Sequence, residues 1–225
     1  MSLIYQQRSS DSPFVETIIH GRTVSDGSSI RPSEVHWHMV FARHNGHVYS
    51  VFVGPWTSAG IASWEEGAEI LWIKFKLGVF IRQMPPMNFL DTETILPGAG
   101  RQSFWLNGST WQLPGFENTE TFINRLVRAD ILAHDPVVNA VLQGHPPEIS
   151  SRTVRHRFMQ FTGLSHSQIY QIERAQRAAA LLQQGLSILD AVYELGYYDQ
   201  PHLTRSLKRW VGQTPAQILQ LSKPG

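Results

Sequence analysis

The C-terminal part of the chain contains an internal repeat. Residues 150–163 (SSRTVRHRFMQFTG) align with residues 199–212 (DQPHLTRSLKRWVG). Each copy begins with a helix-capping residue, Ser150 or Asp199, continues with apolar residues at helical spacing, and ends with glycine. A further match places a shorter apolar helix before each copy. Each repeat is therefore predicted to be a helix, a turn and a second helix.

The exposed faces of the two second helices carry cationic and hydrogen-bonding side chains. No Asp or Glu occurs in residues 151–163 or 200–212. Base edges are read by directional donors and phosphates are bound by cations, so this composition favours a major-groove reader. One basic helix would fit a solvated surface equally well, but two acid-free copies favour DNA binding. The predicted DNA-binding residues are Ser151, Arg152, Thr153, Arg155, His156, Arg157, Gln200, His202, Thr204, Arg205, Lys208 and Arg209. Among them, Arg157, Lys208 and Arg209 are the predicted phosphate contacts.

The second repeat and its tail carry a specific signature. It consists of Gly196-Tyr197, Asp199-Gln200, His202-Leu203 and Gly212-Gln213-Thr214-Pro215. With these residues the segment from about 136 to 221 resembles the AraC/XylS family of bacterial transcription regulators. The first repeat departs from the family pattern, because residues 144–149 form a longer turn that contains two prolines.

The resemblance implies two helix-turn-helix units joined by one long helix, here about residues 165–184. Recognition helices 150–163 and 199–212 would enter successive major-groove segments of double-stranded promoter DNA. RNA polymerase would be a further partner if the protein is an activator. Activation or repression, the operator, and a homodimer are left open.

The N-terminal part of the sequence favours short strands. In residues 35–41, strand alternation places Val35, Trp37, Met39 and Phe41 on one face. Asn45-Gly46 predicts a hairpin turn, and residues 70–81 are rich in strand-forming types. A helix is predicted from Asn118 to about His134. The expected fold class is α+β, with an antiparallel β domain in residues 1–135 followed by an all-α domain in residues 136–225. The resemblance implies that the first domain is a cupin-like barrel that senses a small molecule or dimerises.

Six tryptophans of the N-terminal part are candidates to line a site for that small molecule. Tryptophan packs in a core more often than in a pocket, so core packing is the favoured interpretation of each. The identity of any effector is left open. The six residues are Trp37, Trp56, Trp64, Trp72, Trp105 and Trp111.

A metal-dependent cupin-type enzyme is the alternative function. His36 and His38 would share one strand face, and His44 and His47 follow closely. The carboxylate that such a site needs is missing nearby, where Arg43 stands instead, so surface or hydrogen-bonded strand histidines are favoured. The chain has no cysteine, which excludes sulfur-ligated metals and alkyl transfer to a cysteine acceptor. No catalytic residue, metal or cofactor is predicted.

Charge is distributed unevenly along the chain. Residues 1–135 contain 10 Lys and Arg against 13 Asp and Glu, whereas residues 136–225 contain 9 against 5. This asymmetry favours a polyanion-binding module at the C-terminal end. No apolar run approaches the roughly 18 residues of a membrane span, and the first residues lack a signal-peptide pattern. A cytoplasmic protein without membrane contact is expected.

Overall fold

The computed structural model describes residues 3–145 and 147–221, and it confirms the predicted α+β class. The described strands are β1 (Leu3–Ser9), β2 (Val15–Thr23), β3 (Gly27–Arg31), β4 (His38–His44), β5 (His47–Val53), β6 (Gly60–Trp64), β7 (Glu69–Phe75), β8 (Val79–Ile81), β9 (Glu93–Leu96), β10 (Gly98–Gly100), β11 (Ser103–Leu106), β12 (Ser109–Gln112) and β13 (Leu132–His134). The described helices are a 3-10 turn (Pro86–Phe89) and α1 (Thr119–Arg128), α2 (Pro136–Leu142), α3 (Ser151–Thr162), α4 (His166–Gln183), α5 (Ile188–Glu194), α6 (Gln200–Trp210) and α7 (Pro215–Leu221). Within the described ranges, no helix has the length and apolar character that crossing a bilayer requires.

The chain divides into two compact units. The larger unit comprises the described parts of Met1–Gly27, His36–Pro55 and Ser63–Ser165. The smaller unit comprises the described parts of Ser28–Val35, Trp56–Ala62 and His166–Gly225. The first helix-turn-helix pair, α2 and α3, therefore belongs to the larger unit, and the second pair, α5 and α6, belongs to the smaller one. The domain boundary between residues 135 and 136 stays a prediction.

An antiparallel six-stranded sheet forms the centre of the larger unit. Its strand order is β1-β2-β7-β4-β5-β9, which leaves β1 and β9 as the two edges. The predicted antiparallel architecture is confirmed, but the sheet does not close on itself, so a cupin-like barrel is not confirmed. The inner face buries Met39, Phe52 and Ile73 completely. Trp37 lies in the same core, where its ring stacks on Phe75 at a centroid distance of 3.8 Å.

The predicted hairpin is confirmed as β4 and β5. Their register pairs His44 with His47, which leaves Asn45 and Gly46 as a two-residue turn. Both turn residues have positive φ, 49° and 77°, the conformation that an Asn-Gly pair adopts most readily. The turn chemistry thereby fixes which side chains of β4 face the core.

The predicted extended segment 70–81 contains two strands, β7 and β8. They are separated at Gly78, whose φ of 81° reverses the chain. A Cβ at this position would lie 2.9 Å from Val138 Cγ1 of α2, so glycine also permits close packing of this helix. We call α2 and α5, which precede α3 and α6, the scaffold helices.

The prediction of a helix from Asn118 to about His134 is wrong at its C-terminal end. Helix α1 begins at Thr119 as expected but ends at Arg128. Asp130 then adopts a φ of 55°, and Leu132–His134 forms strand β13, which pairs with β8. The apolar spacing of this segment fits a helix and a short buried strand equally well, and strand pairing decides between them.

The core of the smaller unit lies between α4, α6 and α7. Ile172, Leu182, Leu203, Leu207 and Ile218 are fully buried there. Helix α4 confirms the predicted long helix of residues 165–184, and Gly185, with a φ of 96°, follows its end.

An ion pair ties the edge strand β1 to α1 in the larger unit. Arg8 Nη2 donates to Glu120 Oε2 at 2.8 Å, Nη1 binds the other carboxylate oxygen, and Ser10 Oγ donates to Oε1 at 2.9 Å. Hydrogen bonding by Arg8 lowers the pKa of the Glu120 carboxyl from 4.5 to about 2, although partial burial acts in the opposite direction. The stabilisation that the Glu120 carboxylate provides is therefore complete above about pH 4.5 and is lost as the pH falls towards 2.

Replacing this carboxylate should change the acid stability of the protein. In Glu120→Gln, the free energy of unfolding should depend less on pH between about 4.5 and 2 than in the wild type, because no group with a depressed pKa titrates there. Urea denaturation at a series of pH values measures this slope. Asp130→Asn is the matched control, because the Arg82–Asp130 pair is exposed and should leave the slope unchanged. Equal slopes in Glu120→Gln and the wild type would contradict the assignment.

Candidate nucleic-acid interface

The capping residues predicted for the two repeats hold the starts of their helices. Ser150 Oγ accepts a hydrogen bond from Thr153 N at 3.1 Å, and Asp199 Oδ1 accepts one from His202 N at 2.7 Å. Ser187 caps α5 in the same way, through Asp190 N at 3.1 Å. These side chains satisfy amides that a first helical turn leaves without partners. The two helices predicted at residues 150–163 and 199–212 are therefore confirmed, as α3 and α6, and their role in DNA recognition stays a prediction.

The inner faces of α3 and α6 are apolar, as the repeat predicts. Phe158 of α3 is buried, and Phe161 packs on Phe80 with ring centroids 4.2 Å apart. In α6, Leu203 and Leu207 are fully buried. Because the apolar stripe of each helix faces its own unit, the polar stripe faces outward.

Five predicted base-reading side chains lie on these outward faces. None of them makes a hydrogen bond or an ion pair with another described residue, so their donors are available to an external partner. Arginine can donate two parallel bonds to guanine, and glutamine can pair with adenine in the same bidentate way. These residues are Arg152, Arg155, His156, Gln200 and Arg205, and all are exposed.

Other predicted contacts have partners within the protein. The Thr153 hydroxyl lies 2.9 Å from Ser150 Oγ, and His202 Nδ1 accepts a long bond of 3.5 Å from Tyr198 N. Lys208 Nζ donates to Gly212 O at 3.5 Å, and the Arg209 guanidinium lies over the Trp210 ring. Ser151 is exposed and Thr204 is half-buried. Lys208 and Arg209 remain exposed, so their weak internal contacts leave the charges accessible.

Arg157 differs from the other predicted contacts because it pairs with a buried carboxylate. Its Nε lies 3.2 Å from Asp135 Oδ2, and the Asp135 side chain is 1% exposed. The other oxygen, Oδ1, accepts bonds from Val137 N at 3.0 Å and Val138 N at 2.9 Å. Asp135 thus caps scaffold helix α2 and binds recognition helix α3 at the same time. The phosphate contact assigned to Arg157 stays a prediction, and the sequence offered no signal for this pair.

Two segments of the N-terminal part belong to the same unit as the second helix-turn-helix pair. We call residues 28–35 and 56–62 together the ribbon. Glu34 and Trp56 exchange two backbone hydrogen bonds, of 3.0 and 2.8 Å, and the Arg31 guanidinium lies 3.5 Å from the centre of the Trp56 ring. The ribbon was not identified from the sequence, because nothing in its composition relates it to residues more than 130 positions away.

Arg174 of α4 contacts the turn between α5 and α6, the second helix-turn-helix pair. Its guanidinium stacks on the Tyr197 ring at 3.7 Å, and Nη2 donates to Gly196 O at 3.1 Å. Gly196 has a φ of 66°. In the first helix-turn-helix pair, the long turn includes Pro146, which lies outside the described residues.

The histidines that motivated the metal-enzyme alternative do not form a cluster of ligands. His38 Nδ1 accepts a hydrogen bond from Trp72 Nε1 at 2.6 Å, which confirms a hydrogen-bonded strand histidine. His44 lies 3.3 Å from the Glu65 carboxylate. Over residues 3–145 and 147–221, no group of three or more His, Asp or Glu side chains is arranged to hold a metal ion.

Comparison with known proteins gives a family match in the C-terminal helical part of the chain. Residues 148–220 match a protein family described as a helix-turn-helix domain. The HTH-type transcriptional regulator VirS of Mycobacterium tuberculosis, in strains CDC 1551 / Oshkosh and ATCC 25618 / H37Rv, is 37% identical over 70 residues. This match covers 31% of the chain and 21% of each relative, so the chain spans about a fifth of the length of these curated relatives. No solved structure matches the chain.

Removing Arg157 should destabilise the protein. Arg157→Ala leaves the buried Asp135 carboxylate without its cationic partner, so the free energy of unfolding should fall by about 1–3 kcal/mol. Arg155→Ala, on the exposed face of the same helix, should change it by no more than about 0.5 kcal/mol. Chemical denaturation of the three proteins measures the difference. Equal stabilities of the two variants would show that the Asp135 contact does not stabilise the first helix-turn-helix pair.

Proposed function

We propose that this chain, whose residues 148–220 form a helix-turn-helix domain of the AraC type, is a sequence-specific DNA-binding transcription regulator. The observation that carries the proposal is the exposed, acid-free outer face of both recognition helices. It supplies cations for phosphates and directional donors for base edges, as major-groove reading requires. No catalytic role is proposed.

Helices α3 and α6 each read one segment of the major groove. Arg152, Arg155 and His156 act in the first segment, and Gln200, His202 and Arg205 act in the second. Lys208 and Arg209, at the C-terminal end of α6, bind phosphates. Successive groove segments lie about 34 Å apart, so one copy of the chain reads an asymmetric site. A homodimer would double that site, and an activator would also contact RNA polymerase.

A small molecule bound by the larger unit modulates DNA binding. A cleft of about 240 Å³ in this unit supports the idea, and its volume suits a small metabolite. Phe41 and Leu113 give it apolar walls, while Glu69 lies 3.3 Å from His20 and 3.8 Å from Arg43. A ligand with an apolar body and an acidic group would compete with Glu69 for Arg43. Its described lining contains none of the six tryptophans, of which Trp37 and Trp111 are core residues.

The readout of bases by α6 should depend on Arg205. Arg205→Ala should weaken binding to the preferred DNA by about 1–3 kcal/mol and relax selectivity at one base position, because a bidentate base contact is lost. Fluorescence anisotropy with the upstream DNA of the protein's own and neighbouring genes, in excess unrelated competitor, measures both effects.

Lys208→Ala is the matched control for a phosphate contact. It should weaken binding to all sequences alike and reduce the slope of log K against log salt by about one counterion. If both variants bound DNA like the wild type, or if both lost only folding stability, the proposed roles would be wrong.

Acidic ligands should stabilise the larger unit through Arg43. A panel of small aliphatic and aromatic carboxylic acids should contain members that raise the melting temperature, because a ligand that binds only the folded state stabilises it. Arg43→Ala should abolish the shift, whereas Arg101→Ala, an exposed arginine that does not line the cleft, should preserve it. The cleft proposal fails if no acid changes the melting temperature or if both variants respond like the wild type.

A further inference from the structure

The C-terminal end of recognition helix α6 is capped by the ribbon. An α-helix leaves its last carbonyl groups without intrahelical partners. The Trp210 carbonyl accepts bonds from Ser33 N at 2.8 Å and from Ser33 Oγ at 2.7 Å. The Arg209 carbonyl accepts a bond from Ala59 N at 2.9 Å. Both segments of the ribbon therefore hold the end of this helix by hydrogen bonds.

Ser33 also connects α6 to the long helix α4. Its own carbonyl accepts a bond from Gln176 Nε2 at 2.7 Å. Ser33 is completely buried, so these bonds are shielded from competition by water. One residue of the ribbon thus fixes the end of α6 against α4, within the smaller unit.

Gly212 permits this close approach. A Cβ at position 212 would lie 2.6 Å from Ile30 Cγ2 and 3.1 Å from Ala59 Cβ, both in the ribbon. Its φ of 84° also favours glycine. The residue that follows α6 is therefore constrained by the ribbon as well as by the helix end.

The C-terminal end of the first recognition helix packs on the Pro86–Leu90 segment, because a Cβ at Gly163 would lie 2.8 Å from Leu90 Cδ2, but its capping hydrogen bonds are local. Gly163 N donates to Met159 O at 2.9 Å, and Thr162 Oγ1 donates to Phe158 O at 2.7 Å. These caps come from α3 itself and the residue that follows it. The two helix ends therefore differ in their hydrogen-bonding partners: the ribbon donates to the last carbonyl groups of α6, whereas these capping bonds of α3 are local.

We propose that Ser33 is a positioning residue for base readout by α6, and that the ribbon is a part of the DNA-reading module. This inference rests on the proposed function. Ser33 makes no contact with DNA; it fixes the axis of α6 and therefore the placement of Gln200 and Arg205. Base recognition tolerates displacements of only about 0.5 Å, so the support of a reading helix affects selectivity as well as stability.

The test compares base selectivity at two sets of positions in the DNA site, with the full-length protein. Binding to a series of single-base-pair variants of the preferred DNA is measured for the wild type, Arg205→Ala and Arg155→Ala. The two arginine variants identify the positions that α6 and α3 read. In Ser33→Ala, discrimination should fall about three- to tenfold at the α6 positions, as expected for one lost buried hydrogen bond. Discrimination at the α3 positions should stay within about twofold.

A merely structural role for Ser33 would give a different pattern. Loss of stability lowers the active fraction of protein and so weakens binding to every sequence by the same factor. Ser29→Ala is the matched control, because Ser29 is an exposed serine of the same ribbon and should preserve discrimination at all positions. Gln176→Ala, which removes the partner of the Ser33 carbonyl, should reproduce the Ser33→Ala pattern and replaces that variant if it does not fold.

The results distinguish this inference from the proposed function. If the wild type discriminates between bases but folded Ser33→Ala and Gln176→Ala discriminate equally well, the positioning role is wrong. Equal losses at the α3 and α6 positions would also overturn it. If the wild type shows no base preference on any fragment, the proposed function itself fails, and the positioning role fails with it.

Discussion

The ends of short helices control the arrangement of this protein. Helices of seven to twelve residues are marginal in water, and both scaffold and recognition helices fall in this range. Their placement therefore depends on what caps and packs them. Asp135 shows how much one group can contribute: its buried carboxylate accepts two amides of α2 and faces the Arg157 guanidinium of α3. This side chain links the two helices of the first helix-turn-helix pair, because it caps the N-terminus of α2 and pairs with Arg157 in the middle of α3.

The same capping leaves the outer faces free for recognition. Asp135 and Asp199 lie at helix starts, where their carboxylates accept hydrogen bonds from backbone amides. The outer faces carry no acid that could pair with their arginines. Arg155 and Arg157 illustrate the division: two residues apart on α3, they point about 200° apart around the axis. Arg157 reaches the buried Asp135, and Arg155 stays exposed. One helix thus supports its unit on one side and presents donors on the other.

Local features of the fold were predictable from sequence, and long-range ones were not. The caps Ser150, Asp199 and Ser187, the Asn45-Gly46 turn and the end of α4 follow rules that act over a few residues. The end of α1 at Arg128 depends on the pairing of β13 with β8, which the apolar pattern does not reveal. Whether the six-stranded sheet closes into a barrel also depends on strand pairing, here at its edges β1 and β9, which the apolar pattern does not reveal. At the site, the exposed donors were predictable from periodicity, whereas the Ser33 contact spans 177 positions in sequence.

The two recognition helices differ in the residues that pack against them and cap their C-terminal ends. Helix α3 packs through Phe161 on Phe80 of the larger unit, and its C-terminal end is capped by neighbouring residues. The end of helix α6 is capped by the ribbon, and the ribbon is covalently continuous with strands β2, β4, β5 and β7 of the six-stranded sheet. Three residues separate Ser33, which holds α6, from Trp37, which lies in the core of that sheet. Under the proposed function, the different capping of α3 and α6 means that selectivity in one groove segment can be lost while selectivity in the other is kept.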